Sequence, residues 1–179
     1  RHTRYASDWS SDVCSSDLSM KPSPKFFAGK STVGVILAKN LGLGFIDTDV
    51  LIQINRQKTL QQILDESDHL NLRAIEAEEI LKLNVGRHVI ATGGSAAYSA
   101  AAMTHLQRIS TIVFLEVSFE EIERRIRNFA TRGIAKAKDQ TFRELFEERQ
   151  VLYKRYADLT VSCDGLDLEE VAEEIVRRI

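Results

Sequence analysis

Four residues, Gly29-Lys30-Ser31-Thr32, constrain this chain more than any others. They open a run, Val33-Gly34-Val35-Ile36-Leu37-Ala38, whose apolar residues fall at helical spacing. A glycine, a lysine and two hydroxyls at the start of a helix form the second half of a phosphate cradle. Free N–H groups at such a start point at an anion, and the helix dipole favours it. The lysine adds a mobile positive charge, and the first hydroxyl an oxygen suited to Mg2+. Gly29, Lys30, Ser31 and Thr32 are therefore candidates for nucleotide phosphates, and Ser31 is a candidate metal ligand. The plainer alternative is a Ser/Thr N-cap on an ordinary helix. The front of the cradle is altered: the pattern G-x-x-x-x-G-K-[ST] asks for glycine where this chain has Pro24. Glycine serves there because the backbone turns tightly against phosphate, whereas proline fixes φ and removes a donor. Phe26 and Phe27 add bulk, and no apolar strand precedes the loop.

The segment from Arg1 to Leu18 is rich in Ser and Asp, has no helix or strand period, and lacks the apolar centre of a secretory signal. Residues 1–28 read as a non-native or divergent segment, and 29–179 as one domain with a real core. The net charge of −2 argues against a nucleic-acid partner. No apolar run approaches the roughly 18 residues that span a bilayer. Cys14 and Cys163 lie far apart without metal-ligand spacing, which fits a reducing cytoplasm.

From Gly29 onward helices and short apolar strands alternate. A helix over Ser31–Leu41 is followed by a strand at Leu43–Ile46. A mostly helical stretch over Thr59–Leu83, broken at Ser67-Asp68, leads to a strand at His88–Thr92. A helix over Ala97–Arg108 precedes a strand at Thr111–Leu115, and Ser118 caps the next helix, through Ile126. A helix over Thr141–Tyr156, a strand at Leu159–Val161 and an amphipathic helix over Leu168–Ile179 complete the chain. The alternation predicts an α/β three-layer sandwich, a central parallel sheet with helices on both faces. A complete sheet adds one strand before Gly29, here missing or replaced.

Several groups then fall at strand ends, where open α/β sheets bind ligands. Asp47 and Asp49 flank one residue at the end of the first strand, as an Mg2+ ligand and a base for a hydroxyl, or as an N-cap for Val50-Leu51-Ile52. Arg73 and Glu76 share a helix face, as a surface ion pair or as a guanidinium held by Glu76 to clamp a carboxylate. Gly93-Gly94-Ser95 allows close backbone approach, to a ligand or within a turn. Arg124, Arg125 and Arg127 end a helix, where cations complement its dipole. The polar stretch at about 128–140, with Arg132-Gly133, reads as a lid or as an exposed connection.

As an ordered set, these motifs resemble the shikimate kinases, of the P-loop kinase fold, from Gly29 to the C-terminus. GKST looks like the end of that family's P-loop, which implies Lys30 on the phosphates and Ser31 on Mg2+. FIDTD resembles its D-x-D, which implies Asp47 on Mg2+ through water and Asp49 on the substrate hydroxyl. LRAIE resembles F-R-x-x-E, with Arg73 on the substrate carboxylate and Glu76 holding it. ATGGS resembles A-T-G-G-G, so Gly93 and Gly94 line the substrate pocket. ERQVLYKRYADL resembles R-x-x-L-Y…A-D, with Arg149 as the second carboxylate contact. Arg132 falls at the lid arginine, and Arg125 where an arginine packs on adenine. The resemblance implies ATP- and Mg2+-dependent phosphorylation of shikimate to shikimate 3-phosphate by a cytoplasmic monomer. Its catalytic residues are then Lys30, Asp49 and Arg132. Three departures stand out: the altered P-loop front, Ser95 for the third glycine, and Gly133 for the proline after the lid arginine. Ser95 and Gly133 also fit a kinase of a related hydroxylated metabolite, and the P-loop front a ligand-binding relative without catalysis.

Overall fold

The computed structural model describes residues 29–125 and 140–179, with the backbone path alone for 124 and 125. Helix α1 (Lys30–Leu41) leads into strand β1 (Gly44–Asp47), then α2 (Thr48–Arg56), α3 (Leu60–Glu66) and α4 (His69–Leu81). Strand β2 (His88–Ala91), a 3₁₀ turn (Ala96–Tyr98), α5 (Ala100–Ile109), β3 (Val113–Glu116) and α6 (Phe119–Arg125) follow. Beyond the undescribed stretch come α7 (Phe142–Tyr156), β4 (Leu159–Ser162) and α8 (Leu168–Arg178).

Helix starts follow local chemistry. Thr59, Thr141 and Asp167 each accept from the backbone N–H three residues on, while Gln62, Glu144 and Glu170 return the bond, so three helices begin in capping boxes. Asp68 caps α4 by accepting from Asn71 N at 2.8 Å, which is the break expected at Ser67-Asp68. Asp47 caps a separate helix, α2, which carries Val50, Leu51 and Ile52, as the N-cap alternative in the sequence had it. One segment differs from the sequence reading. The helix expected over Ala97–Arg108 is divided, because Ser99 leaves the helical path and caps α5 through Ala102 N at 3.2 Å. The preceding turn is thereby free to take its own direction.

The strands pair in parallel, Gly44–Asp47 with His88–Ala91 and Val113–Glu116 with Leu159–Ser162. Side chains alternate across them, as a pleated strand requires. Val89, Val113, Leu115 and Val161 meet Val33 and Leu37 of α1 and Val171 and Ile175 of α8. Ile90 meets Ile80 of α4 and Met103 and Leu106 of α5 on the opposite face, where Phe114 also packs on Tyr153 at 5.2 Å between ring centres. Helices thus cover both faces of a parallel sheet, giving the expected three layers. The sheet itself comes as two pairs, β1–β2 and β3–β4. Between β2 and β3 lies a cavity of about 330 Å3, walled by Val89, Ile90, Val113 and Leu115, by α1 and by the end of α8. Among the described residues no strand lies there. The strand expected before Gly29, and Pro24, Phe26 and Phe27, fall outside the described residues.

Candidate active site

Two glycine-bearing loops and two helix ends build one crevice at the C-terminal edge of β1 and β2. A cavity of about 410 Å3 opens there, lined among others by Lys30, Asp49, Glu76, Gly93, Gly94 and Arg149. Gly29 precedes α1 in the left-handed region at φ 63°, which favours glycine, and a Cβ there would press on Leu168 Cδ2 at 2.6 Å. No side chain caps α1. Ser31 and Thr32 therefore stand in its first turn rather than at its cap, and its first N–H groups keep no helical partner. Lys30 has solvent-exposed surface, yet its ammonium is crowded. Burial pushes its pKa down, Asp49 opposes the shift, Arg149 reinforces it, and Asp47 and Glu76 oppose it further.

Asp47 does two jobs at once. Its Oδ1 accepts from Asp49 N at 2.9 Å and Val50 N at 3.3 Å, which starts α2, while its Oδ2 accepts from Ser31 Oγ at 2.6 Å. The helix cap and the contact with the phosphate cradle are thus one carboxylate. Asp49, one residue into the helix, turns Oδ1 into the crevice, buried and without a hydrogen-bond partner. Burial and then the neighbouring Asp47 hold its carboxyl above the usual range, against the pull of Lys30.

Side-chain ends crowd Gly93 and Gly94. A Cβ at 93 would lie 2.2 Å from Glu76 Oε1 and 2.6 Å from Asp49 Oδ1; one at 94 would lie 2.8 Å from an Arg149 nitrogen. Their backbone is pinned: Gly93 N donates to buried Thr48 Oγ1 at 3.1 Å, and Tyr153 Oη donates to Gly94 O at 2.6 Å. Glu76, 4% exposed, accepts a hydrogen bond from the Ser95 hydroxyl. Burial and then Asp49 push its pKa up to about 8, against the pull of Arg149, Lys30 and Arg73.

Of the residues expected from sequence, Lys30, Asp49, Gly93, Gly94 and Arg149 meet in the cavity. Ser31 and Asp47 adjoin it through their shared bond and the first turn of α1. Thr32 stands in that turn without a contact that marks it out. Arg73 does not line the cavity. It is not clamped by Glu76 either: the two make no ion pair, Arg73 Cζ instead lying 3.5 Å from the centre of the Tyr98 ring. Arg149 Cζ lies 5.9 Å from the same centre, so one ring gathers both arginines. Arg125 ends α6, and its side chain is not described; Arg132, Gly133 and the stretch 128–139 lie outside the described residues. Sequence reasoning passed over Tyr98, Tyr153 and Gln150, whose buried Oε1 faces the cavity unpaired. The i, i+4 spacing of Arg149 and Tyr153 on α7 was the available signal for Tyr153.

Ser31 Oγ and Asp47 Oδ2 form a small hard-oxygen pair. Among the described residues no cluster of three metal-binding side chains exists. A two-oxygen donor set fits Mg2+ that keeps most of its waters, and does not fit a metal caged by protein.

The comparisons with known proteins agree with this geometry. A sequence model of the shikimate kinases matches residues 27–179. The shikimate kinase of Paracidovorax citrulli is 38% identical over 158 residues, covering 85% of this chain and 86% of that protein. That of Caldanaerobacter subterraneus subsp. tengcongensis is 34% identical over 152 residues, covering 83% and 88%. Among solved structures, the Aquifex aeolicus shikimate kinase superposes with a TM-score of 0.73 at 30% identity, covering 86% of this chain and 90% of that one. The Acinetobacter baumannii enzyme, solved in complex with shikimate, gives 0.75 at 26%, covering 84% and 86%. With a family model over residues 27–179 and relatives 34% and 38% identical over most of both chains, the chain belongs to the shikimate kinase family.

Proposed function

We propose that this chain transfers the γ-phosphoryl group of ATP to a hydroxyl of shikimate, giving shikimate 3-phosphate for aromatic biosynthesis. The observation that carries the proposal is a single cavity holding both Lys30, at an uncapped helix start, and the unpaired buried oxygen of Asp49. Phosphoryl transfer asks mainly for positioning and charge balance. The first turn of α1 and Lys30 receive the phosphates. Asp49 Oδ1 accepts the hydrogen bond of the attacking hydroxyl and orients it. Arg149, with Arg73 beyond it, holds the acceptor's carboxylate, and Gly93 and Gly94 let the acceptor lie against the backbone. Ser31 and Asp47 are suited to hold Mg2+ through water, and the ion supplies charge neutralisation on the phosphates when bound. Arg132, in a lid at about 128–140, is assigned to the transferred group and Arg125 to the adenine by family resemblance alone.

The proposal divides the chain into residues 1–28, a non-native or divergent segment, and a kinase domain over 29–179. It makes the enzyme a cytoplasmic monomer, as the family resemblance implies. A net charge of −2 gives no argument for a nucleic-acid partner. Among the described residues no helix is long and apolar enough to cross a membrane. Coupled ADP release with Mg2+, ATP and shikimate tests the activity. Asp49→Asn is expected to abolish shikimate-dependent release while nucleotide binding survives. Loss of nucleotide binding in that variant would move Asp49 to a metal or structural role.

A further inference from the structure

The sequence pairs Arg73 with Glu76 along one helix face, and the structure gives each a different partner. Both new partners lie on the 3₁₀ turn after Gly94. Ser95 donates to Glu76 Oε2, and the Tyr98 ring lies under Arg73. Tyr98 N donates to Ser95 O at 3.1 Å, so the turn fixes the two side chains relative to each other. We propose that Ser95 and Tyr98 work as a coupled pair of positioning residues: Ser95 occupies Glu76, and Tyr98 takes over Arg73 and sets it beside Arg149 to receive the acceptor's carboxylate. The proposal rests on the shikimate reading above.

The exchange has a physical consequence. A guanidinium paired with a carboxylate has its charge offset and part of its donor fork spent. One stacked on an aromatic face keeps its full charge and its in-plane N–H groups for an incoming anion. Arg73 Nε is buried with no hydrogen-bond partner, as such a role requires. Glu76 is well suited to release Arg73. Crowded by Asp49 and shielded from water, it keeps its proton to about pH 8 and competes little for arginine. The Ser95 hydroxyl, 3% exposed, holds it there.

Calorimetric titration of shikimate into the full chain at neutral pH, without nucleotide, tests the coupling. Tyr98→Leu is expected to weaken binding about tenfold, while Tyr98→Phe, which keeps the ring, stays within about twofold. The deciding variant is Ser95→Gly with Tyr98→Leu. Glu76, released and still protonated, can accept from Arg73 through its carbonyl oxygen and hold the guanidinium in place of the ring without offsetting its charge, and part of the lost affinity should return. Circular dichroism and melting check that each variant folds, and Tyr98→Met replaces Tyr98→Leu if the latter does not. A purely structural role for Tyr98 predicts that the double change is worse than the single one. Unchanged binding in the ring-removing variant, or no recovery in the double variant, overturns the coupling alone. No shikimate binding by the unaltered chain overturns the substrate reading and the coupling together.

Discussion

Glu76 is a carboxylic acid held neutral among charges, and its proton should be visible in stability. In the fold it keeps that proton to about pH 8, whereas an unfolded glutamate releases it near 4.5. Between those values the native chain binds more protons than the unfolded one, so stability falls as pH rises through the window. Full ionisation costs on the order of a few kcal/mol. Glu76→Gln should therefore melt several degrees above the unaltered chain at pH 8.5 and close to it at pH 5; parallel melting curves across that range would show that Glu76 ionises normally. Gly93→Ala is the steric counterpart. The added methyl would fall onto Glu76 and Asp49 oxygens, and shikimate affinity measured by calorimetry should drop at least tenfold, with nucleotide binding retained. Gly93 was legible in the sequence because paired glycines at a strand end face the ligand crevice; Glu76 was singled out as the holder of Arg73, and the structure gives it Ser95 instead. Tyr98 was not, since a ring under a guanidinium joins a turn to α4 across tertiary space and leaves no spacing to read.

The helices show where local chemistry suffices and where it does not. Capping residues announce α3, α4, α7 and α8, and the structure begins them at those caps. The break before α5 was not announced, because Ala96, Ala97, Ala100, Ala101 and Ala102 are all strong helix formers. Ser99 decides it by capping, and the resulting turn is what aims Ser95 and Tyr98 into the site. Helix α7 carries Arg149 and Tyr153 and starts from a capping box in which Thr141 accepts from Glu144 N at 3.2 Å. Thr141→Ala should cost about 1 kcal/mol, lowering Tm by about 2–4 °C. A Tm unchanged in differential scanning calorimetry would mean that the first turn of α7 contributes nothing to global stability.

Across the whole molecule, the alternation of helix and strand was enough to give parallel pairing and two helical layers. It could not give the separation of β2 from β3, which depends on what lies between them. Replacing residues 1–28 with an apolar strand and a glycine-rich loop should fill that space. Each Val or Ile buried there is worth about 1.5–3 kcal/mol, so Tm should rise by at least about 5 °C and ATP binding should tighten; no change in either would show that the cavity does not receive a strand. One link at the cradle acts on the site as a whole. Asp47 Oδ1 starts α2 while its Oδ2 holds Ser31 in the first turn of α1, and α2 carries Asp49. Whatever draws Ser31 toward a bound nucleotide therefore also tugs on the helix that carries Asp49.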